Sequence, residues 1–234
     1  MQILNFLELF AGTRSVGKVA KVRGHRVASV DWDKKLPDID LYADIGQLTA
    51  AEILEKFGLP DVIWISFDCT TFSMAAISRH RVKNPVTGNL DPVSDYAKKC
   101  DRIDQHVLEV VKELQAERKK RGLSPALVFI ENPRAGLRMM TWMAGWPRYT
   151  VTYCQYGDTR MKPTDIFTNH PDPKFKPMCK NGDPCHEAAP RGSKTGTQGL
   201  RNARARGVIP AQLCEHIVDI CEKYFAEEAD AWMT

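Results

Sequence analysis

The stretch ILNFLELFAGTRSVGKVAKVRG (3–24) decides the fold, because it joins a strand to a helix through a glycine-containing turn. The apolar run at 3–10 predicts a buried strand, and residues 15–22 have helical spacing that ends before Gly24. Gly12 lies in the turn and Gly17 just beyond it. Glycine lets the backbone approach a ligand closely, and the first turn of a helix has free N–H groups. The turn is therefore either a ligand-binding loop or a plain tight turn.

The same alternation of strand and helix continues along the chain. The predicted strands are 3–10, 25–32, 61–67, 126–132, 150–156 and 165–169. The predicted helices are 15–22, 48–58, 101–114 and 209–225. This order is typical of an α/β fold in which helices cover both faces of a parallel sheet. Residues 170–205 are rich in Pro, Gly, Lys and Arg, and they predict an irregular excursion.

The composition is that of a globular protein with a mildly basic surface. The 234 residues are 43% hydrophobic and 26% charged, with a net charge of +4, which is compatible with a polyanionic partner. No apolar run reaches the ~20 residues that span a bilayer, so we expect no membrane partner. The N-terminus lacks the basic lead of a signal peptide. Seven cysteines, an odd number, favour reduced thiols and a cytoplasmic location in a bacterial or phage-infected cell.

Polar residues follow four of the predicted strands, where an open parallel sheet binds its ligands. The segments are LFAGTRSVG (9–17), VDWD (30–33), SFDCTTFS (66–73) and FIENPRAG (129–136). Asp31 at a strand end either binds ribose hydroxyls or is a solvated loop acid. Asp44 either reaches the base of such a ligand or forms a turn.

Cys69 and Glu131 form the chemically informative pair. A thiolate is a soft nucleophile, and a carboxylic acid next to the apolar run ALVFI (126–130) is expected to have a raised pKa and to donate a proton. Together they suit attack on an electron-poor ring that protonation activates. The alternatives are an inert buried thiol and a salt-bridged or helix-capping acid.

The chain resembles the S-adenosylmethionine-dependent cytosine-C5 DNA methyltransferases in seven motifs that occur in the same order. The motifs are FAGTRSVG (10–17), VDWD (30–33), ADI (43–45), SFDCTTFS (66–73), IENPRAG (130–136), YGDTRMKPT (156–164) and RGVIP (206–210). The resemblance runs from residue 4 to about residue 225. It implies a Rossmann-like class I methyltransferase sheet, with a catalytic domain at 1–169, a short recognition region at 170–205 and a returning helix within 206–234.

The resemblance implies roles for individual residues. Cys69 would add to C6 of a flipped cytosine, Glu131 would hold and protonate N3, and either Arg160 or Lys162 would support the cytosine carbonyl. The implied S-adenosylmethionine site is Phe10, Ala11, Gly12, Thr13, Gly17, Asp31, Trp32, Asp44, Ile45, Asp68, Gly207 and Val208. The expected DNA contacts are Ser73, Arg79, Arg81, Asn132, Arg191, Lys194 and Arg201.

The chain departs from the family pattern around the nucleophile. Asp68 stands where relatives commonly have proline, and its carboxylate disfavours a neighbouring thiolate unless it is paired or points away. Thr70 replaces a glutamine, and Arg14-Ser15 replace residues that are often glycine. The recognition region is also far shorter than the family's roughly hundred residues. Its basic residues suit phosphate contacts, which carry no sequence information, so we expect little sequence specificity.

Cysteine and histidine within the excursion raise the question of a metal. Cys179, Cys185 and His186, joined by either Cys154 or His170, would make a tetrahedral zinc site. The alternative is free thiols in a loop.

Three functions follow. The leading one is a compact DNA cytosine-C5 methyltransferase, in a format that suits protection of DNA from restriction. The alternatives are an RNA methyltransferase that acts on transfer RNA and a catalytically silent nucleic-acid-binding module.

Overall fold

A mixed sheet of seven strands forms the centre of the protein. The computed structural model describes residues 2–188, 200 and 202–233. Its strands are β1 (Asn5–Leu9), β2 (Arg26–Asp31), β3 (Leu41–Tyr42), β4 (Val62–Ser66), β5 (Arg81–Lys83), β6 (Leu90–Pro92), β7 (Leu127–Pro133), β8 (Arg148–Thr152) and β9 (Pro163–Thr168). Its helices are α1 (Ser15–Val22), α2 (Ala50–Phe57), α3 (Ile77–His80), α4 (Asp95–Lys120), α5 (Ala203–Gly207) and α6 (Ala211–Met233).

The strand order is β3-β2-β1-β4-β7-β9-β8, with β5 and β6 in a separate hairpin. β3, β2, β1, β4 and β7 are parallel, whereas β9 is antiparallel to both of its neighbours. β9 is therefore where the sheet departs from the parallel arrangement that the alternation of strands and helices predicts. Residues 153–162, between β8 and β9, are too few for a parallel crossover, which takes a dozen residues or more. The predicted strand at 150–156 also ends early, and Tyr153–Tyr156 forms a 3-10 turn.

Two apolar cores cover the two faces of the sheet, as the sequence predicts. One core joins the sheet to α2 and α4 through residues such as Ile53, Val111 and Leu114. The other joins it to α1 and α6 through residues such as Val16 and Leu213. The short apolar runs are buried on both sides because helices lie on both sides.

Polar side chains cap the first turns of α2 and α4. Thr49 accepts a hydrogen bond from the Glu52 amide, and the Glu52 side chain accepts from Thr49 in return, which is a capping box at the start of α2. Ser94 caps α4 by accepting from the Ala97 amide. Within the described residues, no helix combines the length and the apolar character needed to cross a membrane.

Residues 169–188 contain no helix or strand, as expected for the start of an irregular segment. The division of the chain at 169 and 205 stays a prediction. The predicted DNA contacts Arg191, Lys194 and Arg201 lie outside the described residues.

Candidate active site

The carboxyl ends of four neighbouring parallel strands bring the predicted site residues to one edge of the sheet. The glycine-containing loop follows β1, Asp31 ends β2, Cys69 lies three residues beyond β4, and Glu131 lies in β7. Ser66 of β4 is paired in register with Glu131. The chain leaves β1 toward β2 on one side and reaches β4 on the other, so this edge is the switch point where open sheets bind ligands.

The loop after β1 has an unusual backbone. Phe10, Gly12 and Arg14 have φ values of 53°, 52° and 55°, so left-handed residues alternate along it. Two of the three carry side chains, and such conformations cost about 1–3 kcal/mol each and cluster at ligand sites. The Gly12 amide donates to Asp31 Oδ2 at 2.9 Å, which ties the loop to the end of β2. At Arg14 the chain thus adopts a conformation that glycine would adopt at less cost.

The other predicted cofactor residues surround this loop or lie beneath it. Asp31 also accepts from the Asp33 amide at 2.9 Å. Trp32 is 68% exposed, which leaves its ring free to stack. Asp44 is exposed and accepts from the Gly46 amide at 3.1 Å, as its turn interpretation requires. Ala11 and Ile45 are buried, and Thr13 Oγ1 lies 2.8 Å from Ser15 Oγ.

Gly17 faces a buried carboxyl group. A Cβ atom on Gly17 would lie 2.4 Å from Glu8 Oε2 and 2.9 Å from Val27 Cγ1. The close packing of α1 on the sheet accounts for this glycine without a ligand, and its predicted cofactor role stays a prediction. Burial raises the pKa of Glu8 to about 7, although the Gly17 amide donates to its Oε1 and opposes the rise.

Cys69 begins a tight turn that presents it at the surface. Its carbonyl accepts from the Phe72 amide at 3.1 Å and the Ser73 amide at 2.8 Å. The residue is exposed, yet the protein around its sulfur raises the thiol pKa to about 11, chiefly by desolvation and then through the charges of Glu131 and Asp68. Lys162 acts in the opposite direction. At neutral pH Cys69 is therefore mainly a thiol. The charge of Lys162 lowers its pKa and so favours the thiolate.

Glu131 has the properties of a proton donor. It is 8% exposed, and desolvation raises its pKa, as the sequence predicts. Its Oε1 accepts a hydrogen bond from the Tyr153 hydroxyl at 3.2 Å. No pattern in the sequence marks Tyr153, because an aromatic residue after an apolar strand is indistinguishable from core.

The structure distinguishes Lys162 from Arg160. Lys162 Nζ lies 4.5 Å from the centre of the Tyr153 ring, and its charge acts on both Glu131 and Cys69. The guanidinium of Arg160 is instead paired with Asp158, with Nη2 to Oδ2 at 2.5 Å. Lys162 is therefore the cation whose charge acts on Cys69 and Glu131, whereas the charge of Arg160 is paired with that of Asp158.

Asp68 is paired rather than free. Its Oδ1 accepts from the Thr70 amide at 2.8 Å, and its Oδ2 accepts from the Tyr96 hydroxyl. This pairing turns the carboxylate toward α4 and fulfils one of the two conditions under which Asp68 is compatible with a nucleophilic Cys69. Its charge still contributes to the raised pKa of Cys69.

Two of the predicted DNA contacts are buried. Arg81 is 4% exposed, and its guanidinium donates to Asp101 at 2.6 Å and to Thr71 Oγ1 at 2.9 Å. The prediction that it contacts phosphate is therefore wrong, since Arg81 anchors the loop after Cys69 to α4. Asn132 is 1% exposed and donates to the Phe67 carbonyl at 3.0 Å, so it too is inaccessible to DNA in this structure.

Other predicted residues remain accessible. Arg79 is exposed and Ser73 is half-buried in the turn after Cys69. Gly207 and Val208 lie next to Ile209, whose amide donates to Ser15 Oγ at 3.3 Å. That bond places their segment beside the start of α1, on the cofactor side.

The predicted zinc ligands also come together. Cys154, Cys179, Cys185 and His186 place their donor atoms within 4.8 Å of one another. His170 is elsewhere, with its ring 5.3 Å from that of Tyr224.

Comparison with known proteins finds a relative that aligns with most of the chain. The chain is 28% identical over 235 residues to a probable DNA (cytosine-5)-methyltransferase of Frog virus 3, covering 93% of this chain and 100% of the relative. No established family profile matches the chain.

Solved methyltransferases have a similar fold. The methyltransferase EhMeth of Entamoeba histolytica superposes with a TM-score of 0.50 at 12% identity, over 75% of this chain and 56% of that one. Dnmt2 of S. pombe gives a TM-score of 0.45 at 13% identity, over 71% and 49%. The chain thus spans about half the length of these two structures. The likeness to EhMeth confirms the predicted α/β methyltransferase fold.

Proposed function

We propose that the chain is a compact cytosine-C5 methyltransferase, which transfers a methyl group from S-adenosylmethionine to C5 of cytosine in DNA. The observation that carries this proposal is the convergence of Cys69, Glu131 and Lys162 beside the loop after β1. Glu131 and Lys162 act electrostatically on each other, and the charges of both act on Cys69. A nucleophile, a proton donor and a cation in one place are what addition to a pyrimidine ring needs.

The residues around the loop fit S-adenosylmethionine. A Cβ atom on Gly12 would meet only the Phe10 carbonyl oxygen, at 3.8 Å, so the backbone is open to close approach. Asp31 offers a carboxylate for ribose hydroxyls, and Trp32 offers an exposed ring for adenine. When bound, this cofactor supplies the electrophilic sulfonium methyl group that C5 receives.

Cys69 starts the reaction on the cytosine. In its thiolate form, after the thiol proton has passed to solvent, Cys69 uses a sulfur electron pair to form a bond to C6. The π electrons of the C5–C6 bond then form a C4–C5 double bond, and those of the C4–N3 bond move onto N3. Glu131, whose burial raises its pKa and so favours the neutral acid, gives its proton to N3, which removes the developing negative charge. The ring is now an enamine with a nucleophilic C5.

The remaining steps restore the aromatic ring. After C5 is methylated, its proton leaves to a base, the C5–C6 double bond forms again and the sulfur departs with its bonding pair. Glu131 takes back the proton from N3. Lys162 stabilises the thiolate at the start and at the end, because its charge lowers the pKa of Cys69.

The accessible basic residues support a nucleic-acid substrate with little sequence specificity. Arg79 is exposed on the segment after Cys69, and Lys180 and Arg204 are exposed around the excursion. Such side chains bind phosphates, which fixes the position of a nucleic acid without reading its bases. The viral relative is named for action on DNA, which favours DNA as the substrate. Protection of DNA from restriction stays a prediction.

Nucleoside mass spectrometry tests the proposal. The protein is incubated with deuteromethyl S-adenosylmethionine and either unmodified genomic duplex DNA or transfer RNA, and a Cys69→Ser variant is run in parallel. Labelled 5-methylcytosine from DNA with the wild type alone is the expected result. Label in transfer RNA alone would transfer the activity to RNA. Cofactor binding without product on either substrate would favour the silent binding module.

A further inference from the structure

We propose that Cys154, Cys179, Cys185 and His186 bind one structural zinc ion that fastens the segment after β9 to the 3-10 turn Tyr153–Tyr156. The zinc supplies no group to methyl transfer, and the inference does not depend on the proposed function. Three of the ligands come from the segment after β9, and the fourth, Cys154, belongs to the 3-10 turn after β8.

The distances between the donor atoms fit tetrahedral zinc. Zn–S bonds of about 2.3 Å place two sulfurs about 3.8 Å apart, and a sulfur and a nitrogen about 3.6 Å apart. The Sγ atom of Cys154 lies 3.1 Å from that of Cys179 and 3.6 Å from that of Cys185. His186 Nδ1 lies 3.7 Å from Cys179 Sγ and 3.6 Å from Cys185 Sγ. Three of these four separations lie within about 0.2 Å of those of a Cys3His site. The Cys154–Cys179 separation is shorter, and all four donor atoms lie within 4.8 Å of one another.

The surrounding groups support bound thiolates. The Gln155 amide points its Nε2 at Cys185 Sγ at 3.6 Å, and the Cys179 backbone amide donates to Thr152 Oγ1 at 3.0 Å. Donors to sulfur and a fixed ligand backbone are typical of the outer layer of zinc sites. Binding would release the protons of the three thiols and leave a net charge of −1, which the nearby Lys176 partly offsets; its Nζ donates to the Gln155 carbonyl at 3.0 Å.

The segment needs such a clamp, because it has little core of its own. In the described part, residues 169–188 form no helix or strand. Few apolar side chains hold them, chiefly Cys179 and the partly buried Phe175. Metal coordination supplies folding energy to segments of this kind. Cys154 also adjoins Tyr153, whose hydroxyl bonds Glu131, so the zinc would keep this 3-10 turn in place.

Metal analysis of protein purified under reducing conditions tests the site. We expect about one zinc per chain in the wild type, and a zinc content at least about tenfold lower in Cys185→Ser. Cys185 is chosen because its half-buried side chain makes it the least disruptive ligand to change. Cys100→Ser, a buried thiol outside the cluster, is the matched control and should keep its zinc. Cobalt in place of zinc should give the intense visible bands of tetrahedral thiolate coordination, and these bands should weaken in His186→Asn.

The contrary results are specific. Equal zinc in the wild type and in a folded Cys185→Ser variant would overturn the site, as would metal-free wild-type protein after zinc-supplemented expression. A disulfide between Cys154 and Cys179, found by mass spectrometry of unreduced peptides from freshly lysed cells, would also overturn it. Because these readouts are independent of methyl transfer, failure of the zinc site and failure of the proposed function are distinguishable.

Discussion

Replacing Lys162 with methionine should make Cys69 harder to ionise. The wild-type thiol pKa of about 11 leaves roughly one thiol in 3,000 ionised at pH 7.5. Lys162 is the cation that lowers this pKa, and a charge at close range shifts a pKa by about one to three units. Removing it should therefore reduce the thiolate at neutral pH by at least about tenfold.

The higher pKa of Cys69 in Lys162→Met also sets the direction in which the pH dependence of its alkylation moves. The rate of Cys69 alkylation rises tenfold per pH unit below its pKa, so in Lys162→Met the whole profile should move to higher pH. The assay is iodoacetamide labelling at a series of pH values, with the Cys69 peptide quantified by mass spectrometry. Methyl transfer at pH 7.5 should fall by about ten- to a hundredfold in parallel.

Lys162→Arg is the matched control, because it keeps the positive charge. We expect its alkylation profile to stay within about half a pH unit of the wild type. If Lys162→Met alkylates with the wild-type profile while folded, the electrostatic role of Lys162 is refuted, and Arg160 becomes the candidate for supporting the nucleophile.

Three further predictions concern charged groups around the site. Arg81→Met should lower the free energy of unfolding in urea by about 3–5 kcal/mol, since it breaks a buried ion pair, whereas the exposed Arg79→Met should change it by less than about 0.5 kcal/mol. Because burial raises the pKa of Glu8 from 4.5 to about 7, the stability it confers is present below pH 4.5 and is lost as the pH rises through 7. The free energy of unfolding of the wild type should therefore fall by about 3 kcal/mol between pH 4.5 and pH 8, and Glu8→Gln should remove this fall. The same pH dependence in Glu8→Gln as in the wild type would show that Glu8 does not have a raised pKa. Asp68→Asn should speed alkylation of Cys69 at pH 7.5 several-fold, because it removes a charge that raises the thiol pKa; slower alkylation would mean that Asp68 positions the turn instead.

Much of the fold follows from local sequence patterns. The alternation of short apolar runs with helical spacing predicts the central strands and helices, because each pattern depends on neighbouring residues alone. The rule that ligands lie beyond the carboxyl ends of parallel strands then brings Cys69 and Glu131 to one edge. The direction of β9 was not predictable in this way, since it depends on how few residues separate it from β8.

The features that the sequence misses depend on distant partners. Arg81 looks like a phosphate ligand until Asp101, twenty residues later, is placed beside it by α4. The sequence does not show whether Arg160 or Lys162 acts on Cys69, because the ion pair between Arg160 and Asp158 is visible only in the structure. Tyr153 enters the site only because β8 ends before it and the chain turns toward Glu131.

The most direct test of the central claim is covalent capture of Cys69 on its substrate. A DNA duplex with 5-fluorocytosine is incubated with the protein and S-adenosylmethionine, because fluorine at C5 cannot leave as a proton does and the adduct persists. We expect a complex that survives denaturation, with the DNA attached to the peptide that contains Cys69, and no complex with Cys69→Ser. A wild-type protein that methylates ordinary DNA but is never captured, or is captured through another residue, would contradict it.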